Sequence, residues 1–150
     1  MSGMDKMLKH ENVSIVEKVD DWRDSVRVAV QPLVDQGYVE PRYIDGIIAN
    51  AEEFGPYFVI CPDLALLHAR PDQGVIERQL AVTVLREPVR YKPEGPDVRL
   101  LVTLAATDAD GHIEVMRQLA LMFGDPDNIE RVVTATTPGE IFDFFVNFAE

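Results

Sequence analysis

The chain has 150 residues, 47% hydrophobic and 27% charged, a balance that suits one globular domain with a core of its own. Its formal charge of -12 argues against nucleic acid as a partner, because backbone phosphates are held by clustered Lys and Arg, and disfavours an anionic membrane surface on the same ground. An anionic substrate such as a phosphoryl group would need local cations and a basic partner to offset that field.

Cys61 is the single cysteine, which leaves no intramolecular disulfide and no CxxC pair and points to a reduced, cytoplasmic setting. Residues 1–12 are polar, carry both signs of charge and read as a loose N-terminal arm, not a signal peptide, with the domain proper at 13–150. No run approaches the roughly 18 apolar residues of a membrane span, so no membrane insertion is expected.

In chain order, Val13 to Val16 reads as a short edge strand. From Asp20 the pattern turns helical, with Trp22, Val26, Ala29, Val30, Leu33 and Val34 on one face, an Asp pair as cap, Pro32 as a kink and Gly37 as the stop. A second helix opens with Pro41, carries Ile44, Ile47, Ile48 and Ala51 on one face, and breaks at Gly55-Pro56. Gln79 to Arg86 and Val89 to Tyr91 read as two β runs parted by Glu87-Pro88, and Lys92 to Asp97 as a loop. Arg99 to Ala106 is apolar almost throughout, as in a central strand covered on both faces.

A further helix takes Ile113, Met116, Leu119, Ala120 and Phe123 as its apolar face, with His112 in its first turn. Asp125-Pro126 starts a short helix through Val133. Thr137 to Glu140 reads as a capping box opening a last helix whose face is Ile141, Phe144, Phe145 and Phe148. Helices and strands interleave along the whole length, which predicts an α/β domain with a mixed sheet sandwiched between layers of helices.

Several chemistries lack their minimum residues. There is no Gly-Lys-Ser/Thr, GxGxxG, HExxH or GxSxG motif, and the serines all lie within the first 25 residues. Asp108 to Gly111 resembles the start of a calcium loop, but loop position 12 falls on Leu119 where a glutamate is required. His68, His112 and a nearby Asp are zinc ligand types without a close-spaced pair, so no metal and no cofactor are assigned. Cys61 reads as a small core residue.

The stretch Gly55 to Pro71 contains two short apolar runs that end in His68, with Arg70 two residues on. A histidine at the mouth of an apolar strand with a guanidinium nearby suits a nucleophile whose product carries negative charge. His112, on a second strand-to-helix turn, is its natural partner.

These contexts, Val39 to Tyr43, Phe54 to Phe58, Leu64 to Pro71 and Ala105 to Asp108 leading to His112, resemble the enzyme IIA component of the bacterial phosphoenolpyruvate-dependent sugar phosphotransferase system (PTS), mannitol/fructose superfamily, and within it the ascorbate-type branch. The resemblance spans about residues 20–148. It implies that His68 accepts a phosphoryl group from the phosphohistidine carrier protein (HPr) and passes it to a cysteine of a cognate enzyme IIB during uptake of ascorbate or a related sugar. It implies that His112 orients and neutralises that group. It also implies the mixed sheet between helical layers, and leaves room for a homodimer and for an alternative role as a regulatory module that binds partners according to His68 phosphorylation. The family's usual active-site Arg-Glu pair is replaced here by Asn50-Ala51, and Arg70 is the cation placed to substitute for the missing arginine.

Overall fold

The structure, a computed structural model, describes residues 7–148, apart from the side chains of residues 109–112. Five strands form one mixed sheet: β1 (Val13–Val16), β2 (Val59–Cys61), β3 (Asp63–Leu67), β4 (Gln79–Val89) and β5 (Val98–Ala105), in the order β1-β4-β5-β3-β2. The helices are α1 (Trp22–Asp35), α2 (Arg42–Phe54), α3 (Ala109–Phe123), α4 (Pro126–Val133) and α5 (Pro138–Phe148).

Alternation along the strands builds two cores. Leu64 and Leu66 of β3, Val82 and Val84 of β4, and Leu100, Val102 and Leu104 of β5 pack with α3, α4 and α5. Their neighbours Ala65, Leu67, Ala81, Leu85, Leu101 and Ala105 pack with α1 and α2 on the opposite face. The period-2 geometry of a strand sends successive side chains to opposite faces, so an unbroken apolar run has its burial on both sides. The result is the expected mixed sheet between helical layers, with β5 at its centre.

The helix boundaries follow the sequence signals. Asp21 caps α1, accepting from the Asp24 amide at 2.9 Å, and Gly55 (φ 86°) ends α2 in a conformation glycine adopts without strain. Asp125 caps α4 by accepting from the Asp127 amide at 2.9 Å.

Several expectations require correction. The described part of the arm is not loose: Met7 and Leu8 are buried in the α3–α5 core, and Asn12, also buried, donates to the Leu80 carbonyl at 3.3 Å. The two β runs around Pro88 are one strand, β4. Its register with β5 jumps between Val84 and Val89, so the imide nitrogen of Pro88 falls where the ladder is already irregular. The box at Thr137 is half formed, since Thr137 Oγ1 accepts from the Glu140 amide at 3.2 Å while the Glu140 carboxylate reaches back to Thr136 instead. Cys61 is half-buried at the sheet edge, not a core residue, and burial, then the Asp63 carboxylate, raises its thiol pKa.

Candidate functional site

Strands β3 and β5 run parallel with Leu67 opposite Thr103, so their C-terminal ends lie side by side. Neighbouring strands stand about 4.8 Å apart. His68 follows β3 directly, and the segment leading to His112 follows β5 directly. The carboxyl ends of adjacent parallel strands are where α/β sheets collect their chemistry, and here two sequence segments some forty residues apart meet there.

His68 is partly buried, and its Nδ1 lies 2.8 Å from the Leu66 carbonyl oxygen. A carbonyl oxygen only accepts, so Nδ1 carries a proton, and in the neutral tautomer the lone pair then lies on Nε2. The Tyr57 ring stands edge-on to the imidazole, with centroids 5.2 Å apart and planes at 83°, and the Tyr57 hydroxyl donates to the His68 carbonyl.

The two residues after His68 are also tied by side chains. The Ala69 amide donates to the Tyr43 hydroxyl at 3.0 Å, and that hydroxyl donates in turn to the Leu104 carbonyl of β5 at 2.8 Å. The Arg70 amide donates to Gln73 Oε1 at 3.0 Å, which also accepts from Asn50 Nδ2 at 2.9 Å. Gly46 gives Gln73 its space, since a Cβ there would approach the Gln73 side chain to 3.1 Å. Because the Ala69 and Arg70 amides are engaged, this loop is not an anion nest of free N–H groups. The first-turn amides of α3, at the adjoining strand end, lack intrahelical partners.

Burial shapes the two tyrosines. Tyr43 is buried, and desolvation pushes its phenol up to about 12 against the backbone contact at Ala69, which lowers it. Tyr57 is raised by burial, with a bond from Asn50 and the charge of Arg70 acting in the opposite sense. Both remain neutral hydrogen-bonding phenols at neutral pH.

The expected residues are placed as follows. His68 stands at the strand end. His112 lies in the first turn of α3, with its side chain outside the described residues. The Arg70 side chain is 66% exposed and pairs with Asp72 at 3.3 Å. Asn50, where the family's arginine is expected, is held by Gln73. Among the described residues, no group of three or more His, Cys, Asp or Glu is arranged to hold a metal ion, and no helix is long and apolar enough to cross a membrane.

Tyr43, Tyr57 and Gln73 carry roles that spacing alone did not reveal. The signal for Tyr43 was present: a phenol on the apolar face of α2, beside Ile44 and Ile47, must find a hydrogen-bond partner once buried. An apolar cavity of about 640 Å³, lined by residues such as Ile60, Leu64, Met116 and Phe123, opens at the far end of β3 from His68.

The sequence profile of the family described as "Phosphoenolpyruvate-dependent sugar phosphotransferase system, EIIA 2" matches residues 6–148. The chain is 40% identical over 131 residues to SgcA of Escherichia coli (strain K12), which carries the name of a phosphotransferase IIA component, with 87% of this chain and 92% of SgcA covered. It is 35% identical over 145 residues to the ascorbate-specific PTS system EIIA component of the same strain, covering 95% and 94% of the two chains. The solution structure of the mannitol-specific cryptic phosphotransferase enzyme IIA CmtB from Escherichia coli superposes with a TM-score of 0.87 at 26% identity, over 97% of this chain and 98% of CmtB.

Proposed function

The chain belongs to the EIIA type 2 family of the phosphoenolpyruvate-dependent sugar phosphotransferase system, and from that premise we propose that His68 is its phosphoacceptor, taking a phosphoryl group from the phosphohistidine carrier protein (HPr) and passing it to a cysteine of a cognate enzyme IIB. The observation that carries this reading is the Nδ1 bond to the Leu66 carbonyl at 2.8 Å. It leaves the nucleophilic lone pair on Nε2 of a ring held at the end of a rigid strand.

The step balances without a net proton transfer. The Nε2 lone pair attacks phosphorus in line as the N–P bond of the carrier breaks, and the bonding pair returns to the carrier's imidazole. His68 then carries an N–P bond at Nε2 and a proton at Nδ1, and the positive ring is stabilised by the Leu66 carbonyl. In the second transfer a thiolate of enzyme IIB attacks the same phosphorus, the P–Nε2 bond breaks, and its electron pair restores neutral His68. Phosphoryl transfer proceeds through a loose transition state, so positioning and charge stabilisation supply most of the catalysis.

His112, opening the 15-residue α3 immediately beyond β5, is the second residue of the site and neutralises the phosphoryl oxygens together with the helix N-terminus. Arg70 supplies the cation that Asn50 does not. Its pairing with Asp72 is solvent-exposed, so the guanidinium is released at small cost when a phosphoryl group arrives. Similarity to the ascorbate-specific EIIA component supports ascorbate or a related sugar as the cargo of the system, and the relay operates in the cytoplasm.

The test is incubation with labelled phosphoenolpyruvate, enzyme I and the carrier. An acid-labile phosphate on the wild type that is absent from His68→Gln is expected. Equal labelling of the two proteins would overturn the assignment.

A further inference from the structure

We infer that Tyr43 is a positioning residue for the phosphoryl transfer, through a single hydroxyl that joins the loop carrying His68 to the end of the strand leading to His112. The inference rests on the reading of His68 as phosphoacceptor and adds to it the element that fixes its geometry.

The Tyr43 hydroxyl serves no packing purpose. Tyr43 is wholly buried on the inner face of α2 between apolar neighbours, where a phenyl ring would fill the same space. Its hydroxyl nonetheless accepts from the Ala69 amide at 3.0 Å and donates to the Leu104 carbonyl at 2.8 Å. The first partner is the residue after His68, and the second is the penultimate residue of β5. One oxygen therefore sets the height of the His68 loop against the start of the β5–α3 turn.

Two further observations show that the loop is built around this contact. Gly74 sits at φ 136°, and a Cβ on it would come within 3.2 Å of the Tyr43 backbone nitrogen, so the turn after the loop closes directly onto Tyr43. The flanking groups are held separately, His68 O by Tyr57 and Arg70 N by Gln73, but neither of those side chains is bonded to β5. Among these ties, the one through Tyr43 alone spans the two histidine-bearing segments.

Since Tyr43 is buried, it does not touch an incoming carrier. Loss of its hydroxyl should disturb the in-line geometry while leaving docking intact. Near-attack positioning is sensitive on this scale, because displacements of about 1 Å cost up to about a hundredfold in rate.

The experiment compares wild type, Tyr43→Phe and Val30→Ala in steady-state transfer from the phosphorylated carrier. Val30 is buried in the same core on α1, and its truncation matches a loss of stability without touching the hydroxyl. The expected result for Tyr43→Phe is a fall in kcat of about tenfold or more with KM unchanged within about twofold, while Val30→Ala keeps both within about twofold. A Tyr43→Phe kcat within about twofold of wild type, an equal fall in both variants, or a change confined to KM overturns the inference. A wild type that takes up no phosphoryl group overturns the His68 reading and this inference with it, and is recognised by its blank lane. Should Tyr43→Phe fail to fold, hydrogen exchange of the wild-type Ala69 amide decides: protection well above that of exposed loop amides is expected, and exchange as fast as theirs overturns the inference.

Discussion

His68 Nδ1 lies 2.8 Å from the carbonyl oxygen of Leu66, two residues back on the strand that delivers it. A strand carbonyl thus sets which ring nitrogen is protonated. The phosphorylated protein is expected to carry its phosphate on Nε2. Nitrogen-15 NMR of histidine-labelled protein checks this through phosphorus coupling, and coupling on Nδ1 would show that the ring turns over before reacting.

Arg70 is exposed and pairs with Asp72 at 3.3 Å, so its removal should cost the fold within about 0.5 kcal/mol. If its role is charge stabilisation, Arg70→Ala should lower the transfer rate by about tenfold or more. Arg70→Lys, which keeps the charge without the planar fork, should recover part of that loss. Transfer rates and thermal melts of the two variants check both halves, and a full rate in Arg70→Ala would return the burden of charge to His112 and the α3 N-terminus.

Tyr43 also predicts the protein's response to alkali. Its phenol is raised by burial from an ordinary 10.0 to about 12. Between those values the unfolded chain gives up the proton while the native fold keeps it, so stability is fully present below pH 10 and falls as pH rises toward 12. The loss across that window is about 2–3 kcal/mol. Tyr91, also buried and raised, contributes in the same sense. Urea titrations in that alkaline range should therefore show a shallower decline in Tyr43→Phe than in wild type, and equal slopes would contradict the burial argument.

Asp63 opens β3 with φ 72°, a left-handed conformation for a residue with a Cβ, and receives both Arg99 Nε at 2.9 Å and Arg99 Nη2 at 3.0 Å. The bidentate pair holds Arg99 well above its usual pKa, chiefly through the Asp63 bonds, and Glu130 of α4 adds a third contact at 3.3 Å. Asp63→Ala should destabilise by about 2–4 kcal/mol, from the lost charge-assisted bonds and the left-handed backbone together. Asp63→Asn should cost less, because Asn tolerates that conformation and still accepts from Arg99. Chemical denaturation measures both, and an Asn variant as unstable as Ala would assign the whole effect to charge.

Much of the fold was legible because local chemistry marks it. The Asp21 cap, Pro41 and Gly55 delimit α1 and α2, and the run from Leu64 to Leu67 delivers His68 to a strand end, all within windows of a dozen residues. Errors arose where distant partners override local signals. Pro88 read as a break, but β5 continues to pair beyond it at Val98. The arm read as loose, but Met7 and Leu8 find a core assembled from helices more than a hundred residues later. Ile113 read as part of the α3 core face and is 62% exposed, while Val115 and Met122 take buried places.

By itself the sequence determined that His68 follows a short apolar run, that His112 opens a helix, and that helices and strands interleave as in a sheet between helical layers. Those properties are periodic and depend on near neighbours. Only the tertiary structure decided that β3 and β5 lie parallel with Leu67 opposite Thr103, and that one phenol ties Ala69, 26 positions away, to Leu104, 61 positions away. Hydrogen bonds between distant segments leave no periodic trace. They form because a buried hydroxyl, amide and carbonyl each need a partner, and the fold brings those three to one point.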